Sequence, residues 1–167
     1  MPFDLKGRGN WINGIVHLTG DEVIELMHEG AVLVDIREEF ETGARQFDLE
    51  PETALKLSAA FGAGMGRKGE VCGAVTGALM AIGLASGPTS AGDKEAKERT
   101  YRLARRFLDE FAQKNGSIQC RELLGCRIDE AEGLEKARQQ GLFTTICPKL
   151  VDEASEILDQ MLAEQQL

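Results

Sequence analysis

The spacing of hydrophobic positions predicts a small α/β extension at the N-terminal end of the chain. The opening through Trp11 has no hydrophobic period and is predicted as an arm. Thr19 and Glu22 form a capping box at the start of an amphipathic helix that ends at Gly30. The run Ala31–Ile36 is short, apolar and β-branched, which predicts a strand.

After Asp48 the pattern changes, and nearly every segment predicts helix. Pro51 suits the first turn of a helix, Asp93 is placed to cap another, and Gly116 is placed to end it. The predicted helices cover about 51–61, 70–85, 93–114 and 147 onward, with a short turn around Cys120 and then a polar stretch through Gln140.

The helix predicted over 70–85 consists almost wholly of Ala, Gly, Val, Leu and Met, so it is apolar on every side. Such a helix belongs in the interior of a fold. Its glycines lower helix propensity and permit close approach by another element. We therefore expect a mainly α fold, a helical bundle around this buried helix. The expected division is an N-terminal segment, 1–48, and a helical domain, 49–167.

Charge and hydropathy narrow the classes of partner. The chain has 167 residues, 28 acidic against 19 basic side chains and a net charge of -9, which repels phosphate backbones, so we expect no nucleic-acid partner. No apolar run reaches the roughly 18 residues needed to cross a bilayer, so we expect no membrane association. The start of the chain lacks signal-peptide features, which favours a cytoplasmic protein.

The four cysteines carry the most informative chemistry. No CxxC spacing is present, so a thioredoxin motif and a zinc ribbon both lack their local signature. Cys72 and Cys147 fall at predicted helix starts, where unpaired amides and the helix dipole favour a thiolate. The same argument applies more weakly to Cys120 and not to Cys126. The alternative is that these cysteines are small apolar side chains filling a core.

The other candidate groups have simpler interpretations. His17 and His28 are each isolated in sequence, without a metal-ligand neighbour. The glycine-dense stretch 62–66 follows a helix and lacks the ending of a phosphate-binding loop, so a tight turn is expected. A solvated helix face is expected for the basic residues Arg99, Arg102, Arg105 and Arg106.

Three segments together resemble a known family. They are FGAGMGRKGEVCGAVTGALM (61–80), GSIQCRELLG (116–125) and CPKLV (147–151). This order is similar to that of the redox-active proteins named for their C_GCAxxG_C_C cysteine pattern, and the resemblance covers about 49–167. It implies a mostly helical fold and a redox role inferred from the cysteines.

By the same resemblance, Cys72, Cys120 and Cys147 match the family's later three cysteines, whereas Cys126 lies outside the pattern. The chain has no cysteine before Cys72, where the family has its first. A four-cysteine site therefore needs Cys126 or a second subunit to supply the fourth sulfur. Separately, Leu18 to Phe40 resembles the opening helix and second strand of a rhodanese domain, without the rest of that domain or its catalytic loop.

The first functional hypothesis is a thiol redox protein with a redox partner protein. Cys72 attacks, and Cys120 or Cys147 resolves the product as a disulfide. This chemistry requires sulfurs within bridging distance and at least one lowered pKa.

Two further hypotheses stay open, and whether the protein is an enzyme is left undecided. One is a metal-binding module in which an iron–sulfur cluster or zinc is held by Cys72, Cys120, Cys126 and Cys147. The resemblance lends this some weight, because a related cysteine-bearing region occurs in an iron–sulfur-containing cytochrome. The other is a non-catalytic helical interaction protein.

The predicted N-terminal strand supports a homodimer. One or two short strands leave backbone N–H and C=O groups unpaired at their edges, so we expect these groups to pair across two copies of the chain.

Overall fold

The computed structural model describes residues 10–12, 15–17 and 51–164, and its contacts divide the chain into two units, Met1–Leu33 and Val34–Leu167. In the first unit, strand β1 (Asn10–Ile12) pairs antiparallel with strand β2 (Ile15–His17). Part of the predicted arm is therefore a strand. The helix predicted over 19–30 and the strand predicted over 31–36 lie outside the described residues.

The second unit is helical, as the sequence predicts. The helices are α1 (Pro51–Ser58), continued by the 3₁₀ turn Ala59–Phe61, then α2 (Gly73–Ser86), α3 (Lys94–Asn115), α4 (Cys120–Leu123), α5 (Ala131–Gln139), α6 (Leu142–Thr145) and α7 (Cys147–Ala163).

Helix α2 lies at the centre of the main core and packs against both α3 and α7. Phe107 and Phe111 of α3 are fully buried and stack with their ring centroids 6.0 Å apart. Val75 and Ile82 of α2 and Met161 of α7 are also buried in this core. The predicted bundle around a buried Gly/Ala-rich helix is thus confirmed. Among the described residues, no helix has the length and apolar character to cross a membrane.

The ends of α3 are fixed by the residues that the sequence indicates. Asp93 accepts a hydrogen bond from the amide of Ala96 at 2.9 Å, and Gly116 ends the helix in the left-handed conformation (φ 81°). The end of α2 is tied to α3 through the Thr100 hydroxyl, which donates to the carbonyl of Ser86 at 2.8 Å. The Thr100–Ser86 hydrogen bond fixes the packing of α2 against α3 at one end.

The polar stretch through Gln140, for which no helix is specified from the sequence, contains α5. Only Leu134 and Ala137 of this helix pack into a core, so its apolar face is too narrow to be recognised in the sequence. The backbone of Arg127 approaches this helix closely, since a Cβ at Gly133 would clash with the Arg127 carbonyl oxygen. Tertiary packing therefore defines this helix more than its composition does.

Candidate functional site

Two segments far apart in sequence form a short antiparallel backbone pair at the cysteine site. The amide of Cys72 donates to the carbonyl of Ile118 at 2.8 Å, and the amide of Cys120 donates to the carbonyl of Glu70 at 2.7 Å. Each cysteine thus uses its own amide to hold the opposite segment. The pairing places the start of α2 beside the start of α4.

The register of this pair puts Cys72 and Cys120 on the same side. Val71 lies opposite Gln119, and the hydrogen bonds flank this pair. Because side chains alternate along extended segments, the two cysteines both point away from the Val71 side, as diagonal neighbours. Diagonal neighbours in an antiparallel pair lie about 7–8 Å apart, and a disulfide needs Cα atoms within about 7 Å. The register therefore makes Cys72 and Cys120 neighbours on one side of the paired segments.

Three of the four cysteines lie at helix starts. Cys72 is the N-cap of α2, and its carbonyl accepts from the amide of Thr76 at 3.0 Å. Cys120 and Cys147 are the first residues of α4 and α7. The predicted helix-start positions of Cys72 and Cys147 are confirmed. Cys126 instead follows the left-handed Gly125 (φ 64°), after α4 has ended.

The cysteines differ in their exposure to solvent. Cys72 is 8% exposed and Cys120 is 5% exposed, whereas Cys126 and Cys147 are partly exposed. Cys120 belongs to a buried apolar cluster against which both Cys126 and Cys147 pack, while Cys72 lies in the main core. Ile146, directly before Cys147, packs against both clusters and so links them. Two sulfurs are therefore internal and two are near the surface.

Burial dominates the electrostatics of Cys120. Loss of solvent is the main cause, and together with the weaker influence of Cys72, Cys147 and Cys126 it raises the pKa of the Cys120 thiol to about 12. The packing agrees with this, because the Cys72 segment pairs with the Cys120 segment and both Cys126 and Cys147 pack against the cluster that contains Cys120. The expected weak lowering of the Cys120 pKa by a helix dipole is wrong, because α4 has only one turn and desolvation outweighs its dipole.

A left-handed turn covers the Cys120 side of the site. The amide of Gly66 donates to the carbonyl of Gly62 at 2.9 Å. Positive φ angles occur at Ala63 (53°), Gly64 (65°), Met65 (62°), Gly66 (63°) and Arg67 (69°). For an L-residue other than glycine, this left-handed conformation costs about 1–2 kcal/mol. The sequence predicts a tight turn here but not its handedness.

Gly64 is the point at which this turn meets the cysteines. A Cβ at this position would lie 2.7 Å from the Cβ of Cys120 and 2.8 Å from the amide nitrogen of Glu70. The Glu70 amide donates to the Gly64 carbonyl at 3.1 Å, which ties the turn to the paired segments. Sequence reasoning missed this role, and the only signal was the glycine-dense stretch just before Cys72.

The rim of the site is charged. Arg121 forms an ion pair with Glu70 at 2.9 Å, and its backbone amide donates to the carbonyl of Gly69 at 3.0 Å. Both charged side chains are about half exposed, so the pair contributes less than about 1 kcal/mol. This ion pair lies beside the two paired backbone segments.

The arrangement does not fit a metal ion or cluster as it stands. Over residues 10–12, 15–17 and 51–164, no three His, Cys, Asp or Glu side chains are placed to hold a metal. A surface cavity of about 280 Å³ lies elsewhere, between α3 and α7, and contains no cysteine. It is lined by Glu110, Gln113, Lys114, Glu156, Ile157 and Gln160. Of the two histidines, His17 lies in β2 and His28 lies outside the described residues.

The fold and site define a helical bundle with converging cysteines. The chain belongs to the family described as "Putative redox-active protein (C_GCAxxG_C_C)", whose model matches residues 37–161. The match includes all four cysteines and confirms that part of the sequence resemblance. The rhodanese resemblance is not supported by the comparisons. No curated protein and no solved structure matches the chain.

Replacing Gly64 with alanine should destabilise the protein more than the same change at Gly66. Both positions have a left-handed φ, but a Cβ at Gly66 would come no closer than 3.9 Å to another atom, the Ala60 carbonyl oxygen. We expect G66A to lose about 1 kcal/mol of unfolding free energy and G64A to lose about 1–3 kcal/mol more through overpacking. Denaturant unfolding under reducing conditions measures both, and equal losses would contradict the contact with Cys120.

Stability should fall at high pH because of Cys120. Its folded pKa of about 12 exceeds the ordinary thiol value of 9.0, so its contribution is complete below pH 9 and is lost as the pH rises toward 12. The loss from this group approaches about 1.4 kcal/mol per pH unit. Unfolding free energies of the wild type and C120A at pH 7, 9 and 10.5 test this. A parallel decline in the two proteins would show that Cys120 is not the cause.

Proposed function

We propose that the protein carries out thiol–disulfide redox chemistry with Cys72, Cys120 and Cys147. The observation that carries this proposal is the backbone pairing of the segments that bear Cys72 and Cys120, together with the packing of Cys147 against the buried cluster that contains Cys120. Membership of a family described as redox-active supports the same chemistry. We also propose a cytoplasmic location, because a reducing compartment returns such thiols to their reduced form.

The exposures suggest a division of roles among the three cysteines. Cys147 is partly exposed and begins a helix of 17 residues, whose dipole favours its thiolate. A partner therefore reaches Cys147 more readily than Cys72, to which the sequence assigned the attack. Cys120 has a raised pKa, so it attacks slowly and is a poor leaving group. A disulfide that includes Cys120 should consequently resist reduction.

The reaction balances with a disulfide-bearing redox protein as the oxidant. The Cys147 thiolate attacks the partner disulfide, and one partner thiolate leaves. Cys72 then attacks the Cys147 sulfur of the mixed disulfide, which releases the second partner thiolate. Two electrons and two protons pass from Cys72 and Cys147 to the partner. Exchange with Cys120 can then move the bond to Cys72–Cys120, whose segments are already paired.

Metal binding through the four cysteines is the second candidate, because Cys126 and Cys147 pack against the cluster that contains Cys120, whose segment pairs with that of Cys72, and thiolates bind soft metals. It requires the sulfurs to move, since among the described residues no three His, Cys, Asp or Glu side chains are placed to hold a metal. The third candidate is a helical interaction protein whose cysteines only fill space. Oxidation behaviour and metal content separate these three functions.

Mild oxidation of C126S should produce one disulfide that contains Cys72. Using this variant leaves only the three proposed cysteines to react, and alkylation with peptide mass spectrometry identifies the bonded pair. C72S/C126S is the matched control, and the disulfide that contains Cys72 should be absent from it. Full alkylation of Cys72, Cys120 and Cys147 after oxidation would contradict the proposal. Stoichiometric iron or zinc in wild-type protein purified without oxygen, with all four thiols protected, would favour the metal module instead.

We also propose a homodimer. Strands β1 and β2 have three residues each, and a ribbon of this size is marginally stable by itself. Pairing between two copies would satisfy its outer backbone groups. Light scattering during gel filtration should give about twice the chain mass of 18.2 kDa. A mass equal to one chain at micromolar concentration would rule the dimer out.

A further inference from the structure

Cys126 has no role in the chemistry proposed above and lies outside the family's cysteine pattern, yet it belongs to the same cluster. It packs against the buried group that contains Cys120, and Cys147 packs against that group as well. The electrostatic influence of Cys126 on Cys120 agrees with this packing. Cys126 is therefore not an isolated surface cysteine but a fourth sulfur at the same site.

The backbone around Cys126 is held by packing on both sides. Leu124, two residues before it, is 6% exposed, and Ile128, two residues after it, is 2% exposed. Between them the left-handed Gly125 reverses the chain after α4. The exposed guanidinium of Arg127 forms an ion pair with the carboxylate of Asp129 at 2.7 Å. Cys126 is consequently presented from an ordered turn, with part of its surface open to solvent.

The four cysteines fall into two levels. The inner level consists of Cys72 and Cys120, which are buried and belong to the two paired backbone segments. The outer level consists of Cys126 and Cys147, which are partly exposed and pack against one apolar cluster. Ile146 and Phe143, just before Cys147, pack against that cluster too. Both partly exposed cysteines therefore border the same small buried group.

We infer that Cys126 is a redox-active residue that forms an outer disulfide with Cys147, while Cys72 and Cys120 form an inner one. The inference rests on the proposed thiol–disulfide function and extends it. It gives the chain a capacity of two disulfides. It also gives Cys147 a second resolving partner once Cys72 is already engaged with Cys120.

The second oxidation balances in the same way as the first. With the inner disulfide formed, the Cys147 thiolate attacks a second partner disulfide and displaces one partner thiolate. The Cys126 thiolate attacks the Cys147 sulfur, which releases the other partner thiolate. In total, four electrons and four protons pass to two partner disulfides, which become four thiols. The substrate class is therefore an accessible disulfide, in a protein or a small molecule.

The test is a titration of the wild-type protein with oxidised glutathione, followed by alkylation, intact mass measurement and peptide mapping. We expect two disulfides at excess oxidant, with peptides joined through Cys126–Cys147 and Cys72–Cys120. C126S should stop at the inner disulfide and leave Cys147 either alkylated or carrying one glutathione. C147S should likewise keep the inner disulfide, with Cys126 outside any bond within the chain.

The outcomes separate this inference from the proposed function. One intramolecular disulfide in the wild type, with Cys126 still alkylated, would overturn the inference and leave the proposed function standing. A bond between Cys126 and Cys120 would overturn the assignment of the outer pair. Absence of any intramolecular disulfide in both the wild type and C126S would overturn the proposed function itself. Because the wild-type count does not depend on how any variant folds, the inference is decided even if C126S is unstable.

Discussion

The pairing of the backbone before α2 with the backbone before α4 is the constraint on which the site depends. Two amide–carbonyl hydrogen bonds, each made by the amide of a cysteine, hold these segments side by side. They bring Cys72 and Cys120 together without requiring any bond between the sulfurs. The packing of α7 against α2 and α3 then places Cys147 at the same site. The pairing of these two segments therefore does not depend on a disulfide.

Burial and the helix dipole act in opposite directions on these thiols. The dipole at a helix start favours the thiolate, whereas loss of solvent favours the thiol. At Cys120 burial wins, since α4 contains a single turn and the side chain is almost fully enclosed. Cys147 begins a much longer helix and retains contact with solvent. The fold thereby gives Cys120 and Cys147 different environments, although each is the first residue of a helix.

The left-handed turn at 63–67 combines unfavourable backbone angles with close packing against Cys120. Ala63, Met65 and Arg67 adopt a conformation that disfavours ordinary L-residues, and Gly64 leaves no room for a side chain against Cys120. The turn is held by hydrogen bonds from Gly66 to Gly62 and from Glu70 to Gly64. The turn packs directly against Cys120 at Gly64. Burial of the Cys120 side chain is the main cause of its raised pKa.

The sequence by itself determined the helices with wide apolar faces, their caps and the family. The all-apolar segment after Cys72, the Asp93 cap and the Gly116 stop are local signals, so α2 and α3 could be predicted closely. Helix α5 could not, because Leu134 and Ala137 form too narrow an apolar stripe. Tertiary structure alone decided the convergence of the sulfurs, the burial of Cys120 and the position of Cys126. These properties arise from contacts between residues distant in sequence, and local spacing carries no information about solvent exclusion or about which segments will meet.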